Sequence, residues 1–173
     1  VAVLDAFYLV VVTGAFHLDG LGDTADGLFS HRSRERALEI MKDSRSGMMG
    51  IVAVVTVLGV KTAGLYSMKM TVSPFDHACL LLIVPAYARA GMIFGIKIMD
   101  YGREKTGTGL GLFEKPLGWM DFSFFIMPVG ISLVLGITGL VVNLVFIVFL
   151  AGLLEFYRRK MGCITGDMLG AMA

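Results

Sequence analysis

The sequence predicts an all-α, polytopic integral membrane protein, a bundle of about five spanning helices in one domain over residues 1–173. Three observations predict it: 56% of the residues are hydrophobic, only 17% are charged, and the mean hydropathy is +0.78. Soluble domains carry roughly 25% charged residues. The composition also excludes a disordered chain, and a net charge of +1 excludes a nucleic-acid binder that works by bulk electrostatics.

Apolar runs bounded by charged residues define the predicted spans, because a helix needs ~20 apolar residues to cross a bilayer. The spans cover residues 1–18, 47–68, 78–99, 122–136 and 139–157. The last two share one run that is too long for a single crossing, with Gly136-Ile137-Thr138-Gly139 as a tight turn near its middle. The chain opens inside an apolar run without Met, so we expect a segment truncated at both ends.

The distribution of Lys and Arg predicts the orientation of the spans, because short cytoplasmic loops carry the positive charge. The basic segments are residues 19–46, 100–121 and 158–173, and alternating spans place all three on one side. The connections on the other side carry a single Lys or Arg, Lys69. We therefore expect the polar motifs to face the cytoplasm.

Three carboxylates follow the first span at i, i+4 and i+7: Asp19, Asp23 and Asp26. On a helix they lie within roughly 60° of one another and form one acidic stripe. Like charges at this spacing repel, and a cation removes the conflict. Carboxylates with room for phosphate oxygens suit Mg²⁺ or Mn²⁺, and the neighbouring glycines leave space for a bulky substrate. The alternative is a solvated helix end whose acids happen to align.

Residues 33–45 alternate apolar and charged side chains at helical spacing, which predicts an amphipathic helix on the lipid headgroups. Arginines in such a helix are more often lipid-facing cations than ligands. The group Lys42, Asp43, Ser44 and Arg45 stands directly before the second span, where a helix N-terminus with Ser46 as its N-cap suits a phosphate. We expect this group to contact a phosphorylated substrate.

Three further charged positions are candidate contacts. Arg89 lies ten residues from the cytoplasmic end of the third span, and we expect it to face the bundle interior and a carboxylate or phosphate. Arg103 belongs to a glycine-rich loop, residues 100–111, typical of a phosphate cradle or equally of a mobile linker. Asp167 adds a carboxylate on the same side, or simply opens a helix with Thr165 or Asp167 itself as cap.

Residues 17–50, HLDGLGDTADGLFSHRSRERALEIMKDSRSGMMG, closely resemble the signature region of the cobalamin synthase family, the adenosylcobinamide-GDP ribazoletransferases. The similarity continues around residues 85–89, in Tyr101-Gly102-Arg103, and in residues 165–170, which are similar to the family's TGDxLGA ending. The resemblance covers essentially the whole chain. It implies one or more further spans upstream and a final span downstream.

The resemblance implies a multi-pass enzyme of a prokaryotic inner membrane that joins adenosylcobinamide-GDP to α-ribazole or its 5′-phosphate and releases GMP. It also implies a divalent metal, Mg²⁺ or Mn²⁺, and it is compatible with a homo-oligomer. Hydroxyl attack on a diphosphate needs metal to spread charge, cations to hold the leaving nucleotide and a carboxylate to take the proton. The candidate metal ligands are Asp19, Asp23 and Asp26, and the candidate catalytic carboxylates are Asp23, Asp26 and Asp43. The candidate substrate-binding residues are Lys42, Ser44, Arg45, Arg89, Arg103 and Asp167.

Two other classes of function remain as alternatives. Asp23-Thr24-Ala25-Asp26-Gly27 reproduces the first half of the DxxDGxxAR pattern of CDP-alcohol phosphotransferases, but Ser30-His31 stands where Ala-Arg is required. A Mg²⁺ channel or transporter needs polar groups throughout the membrane, whereas here they collect on one side and only a cation lies deep. Measuring GMP release against metal flux separates these interpretations.

Overall fold

The computed structural model describes residues 2–43, 45–103, 109–114 and 116–173. Within them the chain is helical, and the prediction of an all-α protein is confirmed. The α-helices are α1 (Ala2–Val12), α2 (Phe16–Leu28), α3 (Arg34–Ile40), α4 (Met48–Thr71), α5 (Pro74–Ile98), α6 (Ile126–Val134), α7 (Ile137–Met161) and α8 (Gly166–Met172). Two 3₁₀ helices, Leu110–Leu112 and Trp119–Phe125, precede α6.

Three helices, α4, α5 and α7, are long and apolar enough to cross a membrane. They coincide with the predicted spans 47–68, 78–99 and 139–157 to within a few residues. Local signals fix their ends: the Ser73 hydroxyl accepts a hydrogen bond from the Asp76 amide at 3.1 Å at the start of α5. Gly162, with φ 64°, ends α7 in the left-handed conformation that glycine adopts without strain.

The first predicted span, residues 1–18, is not one helix. α1 ends just before Thr13 and α2 begins just after Ala15, and the chain bends by 89° between the two helices. Gly14 and Ala15 both have φ 59°, a conformation that interrupts a right-handed helix. The acidic stripe therefore lies on a helix of its own, α2.

The predicted turn at Gly136 is confirmed, since this residue has φ 57° and separates α6 from α7. The helix before the turn is shorter than predicted: the apolar stretch Met120–Val134 falls below crossing length. Part of it takes the tighter 3₁₀ geometry, and Pro128, which lacks an amide hydrogen, lies in the first turn of α6. By length and composition the described chain has three helices long and apolar enough to span a membrane, or four if α1 and α2 form one broken span.

The chain divides into two compact units, Val1–Val72 with Thr165–Met172, and Ser73–Ile164 with Ala173. In the first unit α2 is central, and α8, α4 and α3 pack against it. In the second unit the core is carried by α5, and residues of α6 and α7 pack on it. The rings of Tyr87 and Phe146 stack there with their centroids 4.6 Å apart.

A chain of hydrogen bonds runs through the apolar core of the second unit. The Tyr87 hydroxyl donates to Asn143 Oδ1, and Asn143 Nδ2 donates to Ser132 Oγ at 3.0 Å. The Ser132 hydroxyl is fully buried and donates to the Val129 carbonyl at 2.6 Å. Because hydrocarbon offers no hydrogen-bond partners, these side chains satisfy one another and thereby link α5, α6 and α7.

Candidate functional site

The glycines around the acidic stripe lie in helix–helix contacts. A Cβ at Gly20 would lie 2.8 Å from the carbonyl oxygen of Asp167 in α8, and a Cβ at Gly27 would lie 2.6 Å from Met41. The expectation that these glycines leave space for a substrate is therefore wrong. They let other helices approach α2 closely, because only glycine leaves the main chain uncovered.

Asp26 holds the N-terminus of α4. Its two carboxylate oxygens accept hydrogen bonds from the Gly47 amide at 2.6 Å and the Gly50 amide at 2.7 Å, donors that lack partners at a helix start. Gly47 is the N-cap residue, so the prediction of Ser46 as the cap is wrong. The position expected for a phosphate at this helix end is taken by the Asp26 carboxylate.

Both residues whose amides bind Asp26 must be glycine for this arrangement to form. A Cβ on Gly47 would lie 2.5 Å from an oxygen of the Asp26 carboxylate. A Cβ on Gly50 would also approach that carboxylate and would lie 2.8 Å from the Gly22 carbonyl oxygen of α2. The close approach of α2 and α4 and the cap by Asp26 therefore depend on the same small residues.

The predicted amphipathic helix is shorter than residues 33–45, because α3 ends at Ile40. Ser33 is its N-cap, and the hydroxyl accepts a hydrogen bond from the Arg36 amide at 3.4 Å. Its apolar side is buried in the protein: Ala37 is 3% exposed and Met41, just after the helix, is 2% exposed. This side packs on α2, while the charged residues of α3 are exposed.

The loop of residues 42–46 is fixed at both ends to consecutive residues of α2. Before the loop, Met41 packs against Gly27, and after it Gly47 binds Asp26. Lys42, Asp43 and Arg45, which lie between these two anchors, are therefore held near the C-terminal half of α2.

Within this loop Asp43 and Arg45 form an ion pair. Arg45 Nη2 donates to Asp43 Oδ2 at 2.7 Å and Arg45 Nε donates to Oδ1 at 3.0 Å. The hydrogen bonds from the Arg45 side chain lower the pKa of Asp43 to about 2. A carboxylate with so low a pKa is a weak proton acceptor near neutral pH, which argues against Asp43 as the general base. Lys42 is exposed beside the pair, and Ser44 lies outside the described residues.

The three carboxylates of the stripe share one helix, as predicted. In the ranges that the structure describes, no group of three or more His, Cys, Asp or Glu residues is placed to hold a metal ion. Both oxygens of Asp26 accept backbone amides, whereas Asp19 is exposed and Asp23 is half-buried. Mg²⁺ at phosphate sites uses one or two carboxylates and completes its coordination with water and substrate oxygens. Asp19 and Asp23 fit that smaller requirement.

Asp167 is half-buried in the first turn of α8. The Thr165 hydroxyl accepts a hydrogen bond from the Met168 amide at 3.3 Å, which confirms Thr165 as a cap. The contact with Gly20 places the backbone of Asp167 against α2, beside Asp19. α8 therefore brings a fourth carboxylate to the helix that carries the stripe.

Arg89 belongs to the second unit, where it is exposed on α5. Its Nη1 donates to the Pro85 carbonyl of the same helix at 3.1 Å. The expectation that Arg89 faces the bundle interior and a carboxylate is therefore wrong within the described part of the chain.

Arg103 follows a short segment that pairs with residues after α7. The Gly102 amide donates to the Ile164 carbonyl at 2.9 Å, and the Ile164 amide donates to the Asp100 carbonyl at 3.0 Å. A Cβ on Gly102 would lie 2.5 Å from Cys163 Sγ, so this pairing requires glycine. Arg103 itself is half-buried, and the following residues 104–108 of the predicted glycine-rich loop lie outside the described residues.

The fold and these polar groups define a helical membrane protein with a carboxylate-bearing helix, a cationic loop anchored to it and a second acidic helix packed on it. The family described as cobalamin-5-phosphate synthase matches residues 1–173. The chain belongs to this family.

Curated relatives named adenosylcobinamide-GDP ribazoletransferase show the same relationship. The protein of Clostridium acetobutylicum is 33% identical over 99% of this chain and 67% of its own length. The proteins of Acetivibrio thermocellus and Desulforamulus reducens are 37% and 36% identical, over 94% and 98% of this chain and 64% and 67% of their own lengths. The chain thus spans about two thirds of the length of these relatives. No solved structure matches it significantly.

Gly47 and Gly50, whose amides bind the Asp26 carboxylate, were not predicted from the sequence. Their partner Asp26 lies 21 and 24 residues earlier in the chain, beyond the reach of any helical spacing rule. The available signal was a pair of glycines three residues apart at the start of an apolar run, where bulkier residues are usual.

Proposed function

We propose that the complete protein is a membrane-embedded transferase that joins adenosylcobinamide-GDP to α-ribazole or its 5′-phosphate and releases GMP. The observation that carries the proposal is the family match over the whole chain. The relatives' name supplies the donor and the transferred group, and the family description, a 5-phosphate synthase, favours α-ribazole 5′-phosphate as the acceptor. The polar groups gathered on α2 suit the same chemistry.

In this reaction the acceptor hydroxyl attacks the phosphorus next to cobinamide, a new P–O bond forms, and the bond between the two phosphates breaks to release GMP. A carboxylate must accept the hydroxyl proton. Asp23 is the proposed acceptor, because it lies at the centre of the stripe, one helical turn from both Asp19 and Asp26. Asp19, on the same helix face, adds negative charge one turn away.

The proposal includes a divalent metal ion, Mg²⁺ or Mn²⁺. When bound with the diphosphate, the ion neutralises the phosphate oxygens and stabilises the charge that moves to GMP. Asp19 and Asp23 would hold it, since the remaining coordination positions suit water and substrate oxygens.

Arg45 and Lys42 are the proposed contacts to the diphosphate. The Arg45 side chain is 88% exposed, so its guanidinium is accessible although it pairs with Asp43. A diphosphate can accept two hydrogen bonds from a guanidinium, as a carboxylate does, and it carries more negative charge. We expect the substrate to replace Asp43 as the partner of Arg45.

The orientation follows from the positions of the basic residues. Lys and Arg gather before α4 and in the last turns of α5 and α7, where Lys97, Arg158, Arg159 and Lys160 lie. The positive-inside rule places these helix ends at the cytoplasmic face. The proposed site then faces the compartment that supplies large, polar substrates to an inner membrane.

Reconstitution of the full-length protein in liposomes tests the proposed function. The liposomes receive adenosylcobinamide-GDP, α-ribazole or α-ribazole 5′-phosphate, and Mg²⁺, and GMP is measured with and without EDTA. We expect GMP and a cobalamin product in equal amounts, with both abolished by EDTA. No GMP from folded protein would contradict the reaction, whereas GMP formation that EDTA leaves unchanged would contradict only the metal.

A further inference from the structure

We propose that Asp26 is a positioning residue that sets Lys42, Asp43 and Arg45 in place near α2, and that it is not a ligand of the metal. This inference rests on the proposed function, because Lys42 and Arg45 are the cations assigned to the diphosphate. It differs from the sequence prediction, which placed Asp26 among three metal ligands.

The first support is that both oxygens of the Asp26 carboxylate bind the N-terminus of α4. Each oxygen accepts one amide of the α4 N-terminus, from Gly47 at 2.6 Å and from Gly50 at 2.7 Å. A negative charge at this position is also stabilised by the helix dipole. A metal ion bound to the same oxygens would compete with both of these interactions.

The second support is the shape of the loop. Only five residues separate its anchors, Met41 and Gly47, and those anchors contact consecutive residues of α2, Gly27 and Asp26. Removal of the Asp26 carboxylate releases one of the two anchors. The cations of the loop then lose a fixed place relative to Asp23, and misplacement by ~1 Å can lower a rate about 100-fold.

Two substitutions separate positioning from metal binding. Asp26→Ala leaves the Gly47 and Gly50 amides without their acceptor. Gly47→Ser introduces a Cβ where the carboxylate of Asp26 lies only 2.5 Å away, so it is harmful in the native protein. Gly47 has φ −89° and ψ 175°, the extended conformation of an N-cap serine, whose hydroxyl accepts from the amide three residues later, that of Gly50.

The two changes together should therefore restore the cap of α4 but not its link to α2. In Asp26→Ala/Gly47→Ser the carboxylate is gone, the introduced Cβ has space, and the serine hydroxyl caps α4. We expect each single variant to lower kcat/KM for adenosylcobinamide-GDP by about 100-fold. We expect the double variant to recover thermal stability but not kcat/KM, because a serine at position 47 caps α4 without linking it to α2. We expect the Mg²⁺ concentration for half-maximal rate to stay within about twofold of wild type throughout.

The measurements are GMP release at varied Mg²⁺ and thermal unfolding of full-length protein in the same liposomes. A folded double variant that needs much more Mg²⁺ would overturn the positioning role and identify Asp26 as a ligand, and full recovery of kcat/KM would overturn the anchoring to α2. Recovered thermal stability with kcat/KM still lowered and the Mg²⁺ requirement unchanged supports the proposal, because a serine at position 47 replaces the cap but not the contact with α2. Absence of GMP from folded wild-type protein is a different result, since it rejects the proposed reaction itself.

Discussion

Gly20 of α2 and Asp167 of α8 meet through their main chains, and a Cβ on Gly20 would lie 2.8 Å from the Asp167 carbonyl oxygen. No side-chain rotation relieves an added methyl group at such a contact. The Cα atom of Gly170 would also lie 3.3 Å from that methyl group. The close pairing of α2 with α8 therefore depends on the absence of a side chain at position 20.

Gly20→Ala is expected to separate α8 from α2 and to destabilise the protein by ~1–3 kcal/mol, the usual cost of overpacking. Thermal unfolding of the reconstituted protein measures the effect. Gly64→Ala is the matched control, because a Cβ at Gly64 in α4 meets nothing within 4 Å, and alanine there should be neutral or slightly stabilising. Equal melting temperatures for the two variants would contradict the close contact.

Asp23→Asn is expected to reduce GMP release by at least 100-fold while the protein remains folded, because an amide neither accepts the proton nor balances a metal charge. Asp76→Asn provides the control, since Asp76 lies at the start of α5 and outside the proposed site. Initial rates at saturating Mg²⁺ and an unfolding curve for each variant are required. Near-normal turnover by Asp23→Asn would show that Asp23 is neither the proton acceptor nor a metal ligand.

The pair of Asp43 and Arg45 predicts a pH dependence. Hydrogen bonds from Arg45 lower the pKa of Asp43 from 3.8 to about 2, so the pair stabilises the folded loop fully above about pH 4. That contribution is lost as the pH falls towards 2 and the carboxyl group becomes protonated. Any loss of activity between pH 5 and 7 therefore belongs to another group.

The rate of GMP release as a function of pH, in wild type and Asp43→Asn, checks this assignment. We expect the acidic limb of the profile to keep its midpoint in the variant. Disappearance of that limb in Asp43→Asn would identify Asp43 as the general base after all.

Tyr87→Phe is expected to destabilise the second unit by ~0.6–1.7 kcal/mol, the range found for hydrogen bonds between membrane helices. The change removes the hydroxyl that donates to Asn143 and leaves the amide oxygen with one partner fewer. Tyr66→Phe serves for comparison, since Tyr66 is 60% exposed on α4. A melting temperature for Tyr87→Phe no lower than that of the control would show that the bond contributes nothing.

The parts of the fold that were predicted correctly depend on local properties. The bounds of α4, α5 and α7 follow from uninterrupted apolar runs, and the turn at Gly136 follows from glycine in a run too long for one crossing. The break at Gly14 and Ala15 escaped prediction because the surrounding residues are apolar on both sides. Hydropathy records whether a segment prefers lipid, but it does not record left-handed backbone angles.

The candidate site was predicted in its residue types but not in its pairings. The spacing of Asp19, Asp23 and Asp26 correctly places all three on one helix face, because helical geometry is local. The capture of Asp26 by Gly47 is a tertiary contact between two helices, and no spacing rule reports it. Once Asp26 is engaged in that way, a three-carboxylate metal site no longer follows from the same stripe.

The parallel bridge between Tyr101 and Ile164 bears on whether the number of membrane crossings between α5 and α7 is odd or even. These residues follow the ends of α5 and α7, so the two helices end on the same face of a bilayer that both cross. The two ends of α7 then lie on opposite faces, which requires an odd number of crossings between residues 99 and 136. In the described part of that interval, Met120–Val134 is the apolar helix available. It begins in 3₁₀ and continues in α geometry, which makes it ~25 Å long, shorter than the ~30 Å hydrocarbon layer, so a crossing there requires a thinner bilayer or flanking side chains that reach the interface.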